Sequence, residues 1–325
     1  MAAPRPASSA SYLLPRYWPT WLLFGSLWLS ARLPQRFLVP AGRITGRMLR
    51  WINPYRRGIV QRNLEICFSA QAPKQRADLL GKNFESLGIS LLETATAAWA
   101  PAGKVRELGS IQGLEHLEAG LRKGRGAILL SGHFNSPDFC GRLLTQHLPV
   151  CFTYQEFRNP LFDSLMQRIR RRHCPALIHR HDMRGMIRAL RDNQVLWYAP
   201  DQDQGERHSV FVPFFGKMAA TLTTTTRLAR LTGAAVLPLA IQRSPDNSSY
   251  RLTIHPAWKD YPGKSPTEDA LRFNRMLESW IRISPEQYNW AHRRFKTRPD
   301  NETAPYPEKP RRIRRKQREA NLKPG

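Results

Sequence analysis

The stretch from Ala127 to Asp138 constrains the fold of this chain more than any other. Ala127-Ile-Leu-Leu-Ser131 is a short apolar run without polar alternation, the pattern of a strand covered on both faces. Ser136, Pro137 and Asp138 then supply a helix start. They are a capping serine, a proline suited to the first helical position, and an acid that favours the positive end of the helix dipole. A covered strand that runs straight into a helix needs a sheet with helices packed on it. The alternation repeats along the chain. Strand patterns at 150–154, 195–199, 234–242 and 250–255 interleave with helical patterns at 161–172, 183–191, 222–232 and 268–283. Upstream, 64–99 reads as helix broken by Pro73 and ended before Pro101, and 114–121 as a short helix. The expected class is α/β, a central mixed sheet flanked by helices. The 325 residues suffice for one large domain or two modest ones, and no internal repeat is visible.

Between strand and helix lies His133, five positions before Asp138. Five residues of ideal helix turn through about 500°, so two side chains so spaced on one helix diverge. The pair works only if His133 stands on a turn and the helix begins between them, as Ser136-Pro137 indicates. An ionised Asp138 would then fix the imidazole tautomer and stabilise the imidazolium formed when His133 takes a proton. That is equipment for activating a hydroxyl. Taken alone, the motif also fits a histidine that caps a helix without chemistry.

Other clusters stand near strand ends, where α/β sheets place ligands. Tyr154-Gln-Glu-Phe-Arg158-Asn159-Pro160 offers Arg158 as a fork of N–H donors for a phosphate or other oxyanion, with Asn159 beside it; an ordinary solvated arginine is the alternative. Ala199-Pro-Asp201-Gln-Asp203 offers two acids and an amide. They suit orienting a polar substrate, binding a divalent cation, or simply forming a turn. Phe211-Val-Pro-Phe-Phe-Gly216 reads as an apolar loop, either one wall of an acyl-chain site or core. Other chemistries fit poorly. There is no GxSxG nucleophile elbow and no dinucleotide fingerprint, and Gly263-Lys-Ser265 lacks the upstream glycine of a P-loop, Trp258 standing there instead. His179, His181 and Asp182, flanked by Arg180 and Arg184, read as basic surface rather than as a metal site.

The N-terminal region points to a membrane. From Tyr17 to Ala31 the chain is uncharged and aromatic, shorter than the roughly 20 residues of a comfortable span, though Arg16 and Arg32 can snorkel. Arginines are dense from Arg32 to Arg62 with no acid between, which places the body on the cytoplasmic side. A helix lying in the headgroup layer is the alternative to a span. The formal charge of +26 argues for polyanionic partners. Cys67, Cys140, Cys151 and Cys174 form no CxxC pair and read as reduced cytosolic thiols. The division expected is 1–15 disordered, 16–52 membrane-anchoring, 53–299 catalytic domain, and 300–325 a basic disordered tail.

The ordered series of motifs resembles a known family. Pro15-Arg-Tyr-Trp-Pro-Thr-Trp21, Arg62-Asn-Leu-Glu-Ile-Cys-Phe68, Asn83-Phe-Glu-Ser-Leu-Gly88, the His133/Asp138 pair, Ala199-Pro-Asp-Gln-Asp203, Pro213-Phe-Phe215 and 288–299 together resemble the late acyltransferases of lipid A biosynthesis, the lauroyl/myristoyl branch of the lysophospholipid acyltransferase superfamily. The likeness runs from about Arg16 to Pro299. It implies acyl carrier protein as the thioester donor and a hydroxyl on a hydroxyacyl chain of a Kdo-bearing lipid A precursor as acceptor. His133 would be general base, with Asp138 orienting it. Arg158, Asn159, Asp201 and Asp203 would bind or organise substrate. No cofactor beyond the acyl-carrier donor, no metal and no covalent acyl-enzyme is expected, and the site of action is the cytoplasmic face of a bacterial inner membrane. A basic surface suits an acidic carrier protein and an anionic leaflet. Two rivals are an acyltransferase acting on a lysophospholipid, and a membrane-tethered nucleic-acid-binding protein resting on the basic run 311–318; the motif series leaves the latter without support, and no nucleic-acid partner is expected.

Overall fold

The computed structural model describes residues 9–299 and 302–307. Two 3₁₀ turns, Ser9–Leu13 and Pro15–Tyr17, lead into α1 (Trp18–Ser30), α2 (Gln35–Ile52), α3 (Pro54–Cys67), α4 (Pro73–Trp99) and α5 (Ala102–Glu107). Then come β1 (Gly109–Gln112), α6 (Leu114–Leu121), β2 (Ala127–Leu130), α7 (Pro137–Leu144), β3 (Val150–Tyr154), α8 (Pro160–Arg171), β4 (Leu177–His179), α9 (Met183–Arg191) and β5 (Val195–Tyr198). A hairpin of β6 (Ser209–Phe214) and β7 (Lys217–Leu222) precedes α10 (Thr224–Thr232), β8 (Ala235–Arg243), β9 (Tyr250–Ile254) and α11 (Pro266–Ile283).

The main sheet has seven strands in the order β1-β9-β8-β2-β5-β3-β4, parallel throughout except where β8 meets β9. It is therefore the mixed α/β sheet that the alternation implies. Central β2 is buried along its whole length, as a strand covered on both faces must be. Helix α6 packs on β2, β8 and β9, α9 packs on β4 and β5, and α4 lies against α7. Short strands β1 and β4 and the β6/β7 hairpin escape the sequence pattern. In the hairpin, Phe214 and Phe215 pack against Tyr288, Trp290, Phe295 and Phe68. Of the segment read as either an acyl wall or core, Val212, Phe214 and Phe215 are core.

The N-terminal region departs from a spanning anchor. Helix α1 has 13 residues, about 20 Å of helix against a hydrocarbon core of about 30 Å. Among the described residues no helix is long and apolar enough to cross a membrane. Pro34 separates α1 from α2, and α2 carries Arg36, Arg43, Arg47 and Arg50. Both helices pack on α4. Glycines bring α2 and α4 together: a Cβ at Gly46 would stand 2.1 Å from the Phe84 carbonyl oxygen, and one at Gly88 2.2 Å from that of Gly42. Buried Phe24 and Leu27 face inward, while Trp18, Leu22, Leu29, Phe37, Trp51 and Ile52 stay exposed.

The expected ends also move. Residues 9–17 are tied down where indole N–H groups of Trp18 and Trp21 donate to the carbonyls of Leu13 and Tyr12; residues 1–8 lie outside the described residues. Past Pro299, the Tyr306 hydroxyl meets Asn63 Oδ1 at 2.5 Å and receives the Phe295 N–H, so the packed body reaches beyond 299. The rest of the basic tail, 308–325, lies outside the described residues. All four cysteines are free and buried.

Candidate active site

Strand register builds the site. Parallel β2 and β5 pair with Leu130 opposite Tyr198. Three residues further along each strand direction stand His133 and Asp201, so the two loops bring them side by side. The His133 Nδ1 donates to Asp201 Oδ1 at 2.5 Å, and the His133 main-chain N–H donates to Asp201 Oδ2 at 2.9 Å. The Tyr288 hydroxyl donates to the same Oδ2 at 2.8 Å. Asp201 is ionised and has no proton to share, so the imidazole proton sits on Nδ1 and Nε2 keeps its lone pair. The His133 side chain keeps 37% of its surface exposed, whereas Asp201 keeps 1%.

The electrostatics agree with that division. Burial alone would push His133 down from its ordinary 6.5, but the Asp201 charge and hydrogen bond outweigh it and raise the imidazole. Burial would likewise raise Asp201, yet the charge and hydrogen bonds of His133, with that of Tyr288, hold its carboxyl well below the usual range. Tyr288 is driven well above 10.0 by burial and by the Asp201 charge, so it stays a donor. His292 is pushed down to about 4 by burial and by the His133 charge. Its neutral Nε2 accepts the Asp203 main-chain N–H at 2.9 Å.

Asp138 does not take the role expected of it. Its two carboxylate oxygens receive Arg170 Nε at 2.7 Å and Nη2 at 3.2 Å, a fork-to-fork pair. Asp138 does share a cavity of about 560 Å³ with His133, Arg158 and Arg170, walled in part by Phe152, Ile169 and Leu177. The helix start is placed as expected, with Pro137 in the first turn, but Ser136 does not cap it. Ser136 has a left-handed backbone (φ 72°), its N–H donates to Ser90 Oγ at 2.6 Å, and its hydroxyl donates to buried Glu93. Tyr250 and Arg243 donate to that same hydroxyl at 2.8 and 3.1 Å, and Arg243 pairs with Glu93 at 3.5 Å. This buried network holds the loop between His133 and Asp138 from beneath.

Two of the expected substrate residues are structural. Asp203 is buried and saturated by the N–H of Gly205 and the N–H and hydroxyl of Thr297, at 2.9, 2.6 and 2.8 Å. Asn159 caps α8 through the N–H groups of Leu161 and Phe162 and donates to Thr20 Oγ1 at 2.8 Å, locking α8 to α1. Arg158 is exposed, lines the His133 cavity, and has no ion pair among the described residues. His179 and His181 lie together, with ring centroids 5.3 Å apart, while the Asp182 carboxylate caps α9 at the Gly185 N–H.

Sequence reasoning missed the strap 288–297. It supplies Tyr288 to Asp201, the Asn289 N–H to the His133 carbonyl at 2.9 Å, His292 to the 201–203 loop and Thr297 to Asp203. Its motif was visible in the sequence, but no periodicity marks which strand ends it would touch. Arg170 was visible only as part of the basic face of its helix.

A free imidazole nitrogen, backed by a buried carboxylate and opening on a cavity, is equipped to deprotonate a hydroxyl. The sequence profile of the bacterial lipid A biosynthesis acyltransferases matches residues 5–297. The palmitoleoyltransferase of lipid A biosynthesis from Escherichia coli K12 is 38% identical over 299 residues, 92% of this chain and 97% of that protein. The lauroyltransferase of the same organism is 38% identical over 302 residues, covering 93% and 99%. Its myristoyltransferase is 30% identical over 312 residues, covering 94% and 95%.

Proposed function

The chain belongs to the bacterial lipid A biosynthesis acyltransferase family, and from that premise we propose that it moves a fatty acyl chain from an acyl-carrier-protein thioester to a hydroxyl on a hydroxyacyl chain of a Kdo-bearing lipid A precursor. The observation that carries the reading is the His133–Asp201 pair with Nε2 free toward the cavity. In this mechanism His133 Nε2 takes the proton of the acceptor hydroxyl as its oxygen attacks the thioester carbonyl. Asp201 balances the imidazolium. The tetrahedral intermediate collapses, the C–S bond breaks, and the proton passes to the leaving thiolate. No acyl-enzyme forms. Asp138 and Arg170 line the path as a fixed pair, and Arg158 remains free for an oxyanion of substrate.

The same reading puts the protein on the cytoplasmic face of the inner membrane without a span. The exposed tryptophans and leucines of α1 and α2, interspersed with arginines, suit an anionic leaflet into which the helix pair settles flat. An acidic carrier protein suits the same positive field. Purified protein, a Kdo-lipid A precursor and acyl carrier proteins loaded with chains of graded length test the proposal. Mass spectrometry should show one added acyl chain, and His133→Ala should show none. Turnover of the variant near that of the wild type rules the mechanism out.

A further inference from the structure

A second cavity, of about 510 Å³, stands beside the acyl-transfer site and has no part in the chemistry above. Arg180, Arg207, Arg227, His181 and His208 line it, and no aspartate or glutamate does. Among the described residues none of these arginines has an ion pair. Arg180 donates to Gln155 and His181, while the side chains of Arg207 and Arg227 make no hydrogen bond among the described residues. Other arginines of this chain are matched by acids: Arg170 by Asp138, Arg243 by Glu93, Arg298 by Glu302. Here the matching charge is missing. Like charges gathered in a concavity repel one another, and low-dielectric walls concentrate their field toward an incoming anion. His181 feels it: burial, then Arg180, then His179 push its imidazole below the ordinary 6.5.

The cavity's place in the fold argues the same way. Arg180 directly follows β4, and Tyr198, also in the lining, ends β5, so the cavity lies at the carboxyl ends of parallel strands, where α/β sheets receive ligands. It shares a wall with the catalytic cavity. In the loop that carries Asp201, Gln202 lines the catalytic cavity and Gln204 lines the second, while Gln155 of the first holds Arg180 of the second. A substrate long enough to cross that wall can be gripped on one side and react on the other.

We propose that this basic cavity is an oxyanion-binding subsite that holds a phosphoryl group of one acyl-transfer substrate while the reacting end lies at His133. The proposal rests on the acyltransferase reading for the identity of the substrate, but not for the binding of the anion. The phosphoryl group can be the sugar phosphate of the acceptor lipid or the phosphodiester of the donor's prosthetic arm, and the experiment separates them.

Full-length wild type and Arg207→Gln/Arg227→Gln, both substitutions on exposed side chains, are compared in two measurements. In the first, inorganic phosphate is titrated against potassium chloride of equal ionic strength and thermal unfolding is followed. Phosphate should raise the midpoint of the wild type and not that of the variant. In the second, KM is measured separately for donor and acceptor. One of the two should rise about tenfold, the scale of a lost charge-assisted contact, with kcat little changed. A rise for the acceptor assigns the lipid phosphate; a rise for the donor assigns the carrier arm. Equal phosphate stabilisation of both proteins, or KM values unchanged for both substrates, overturns the proposal. A wild type that transfers no acyl chain removes the acyltransferase reading, and the phosphate titration still decides whether the cavity binds the anion.

Discussion

Replacing Asp201 by asparagine separates the pair built by strand register from the pair visible in the sequence. Asp201 accepts three hydrogen bonds, from the His133 N–H, His133 Nδ1 and the Tyr288 hydroxyl, with its side chain 1% exposed. Asparagine keeps the shape but has one acceptor oxygen and an NH₂ in place of the other. If the oxygen stays with the main-chain N–H and Tyr288, the NH₂ faces Nδ1 and forces the imidazole proton onto Nε2, where the base should be. The carboxylate charge that balances the imidazolium is lost as well. General-base catalysis is worth about 10²–10⁴, and the matching change in a Ser-His-Asp triad costs about 10⁴. We expect kcat to fall about 10³–10⁴-fold, or about 4–5.5 kcal/mol of transition-state stabilisation. Asp138→Asn breaks a partly exposed pair with Arg170 and should cost about tenfold or less. The pH profile of kcat/KM adds a sign. Activity needs neutral His133, whose pKa is raised above 6.5, so the wild-type acid limb lies above that value. Without Asp201 only burial remains, and it lowers the imidazole, so the limb of the variant moves to lower pH. The assay is initial-rate transfer from acyl carrier protein, with thermal unfolding to confirm the fold. Loss of more than a hundredfold in Asp138→Asn, beside a mild loss in Asp201→Asn, would refute the reasoning.

Tyr288→Phe removes one hydrogen bond from Asp201 and should slow turnover by up to about tenfold, from the roughly 0.5–1.5 kcal/mol of a single bond, without moving the unfolding midpoint far. Glu93→Gln leaves Arg243 buried without its counter-charge, at a cost of about 3 kcal/mol, which calorimetry should register as a clear drop in midpoint. Gly46→Leu drives a side chain into the Phe84 carbonyl and forces α2 off α4; protease sensitivity at the N-terminal helices should rise well above that of the wild type.

What the sequence disclosed was local. Helices at Leu114–Leu121 and Met183–Arg191 and the strand Val150–Tyr154 have their information within one apolar period, and the structure has them at the bounds that pattern implies. Strand β4 has three residues and β1 four, too short for a period to emerge. The β6/β7 hairpin turns on Phe215-Gly216, both at positive φ, and a phenylalanine there gives none of the usual turn signals. The apolar content of the N-terminal run points to a membrane anchor, yet its helix ends before Pro34 and its inward face packs on α4.

The site follows the same division, and the reason is geometric. A spacing such as His133 to Asp138 can be tested against one helix, and it locates the helix start; that both residues line one cavity emerges only in the structure. It says nothing about what else reaches Asp138, and a guanidinium from α8 takes both of its oxygens. The partner of His133 lies 68 positions away and becomes its neighbour only because β2 and β5 pair Leu130 with Tyr198. Equal offsets past two paired parallel strands land side by side, so once the register is known Asp201 is the residue expected there. In Asp201-Gln-Asp203 the side chains alternate: Gln202 lines the catalytic cavity, while Asp201 and Asp203 both turn inward, one to the imidazole and one to Thr297. One carboxylate tunes the base and the other holds the strap that brings Tyr288 to it, so the loop's chemistry depends on a chain segment more than 80 residues downstream in sequence.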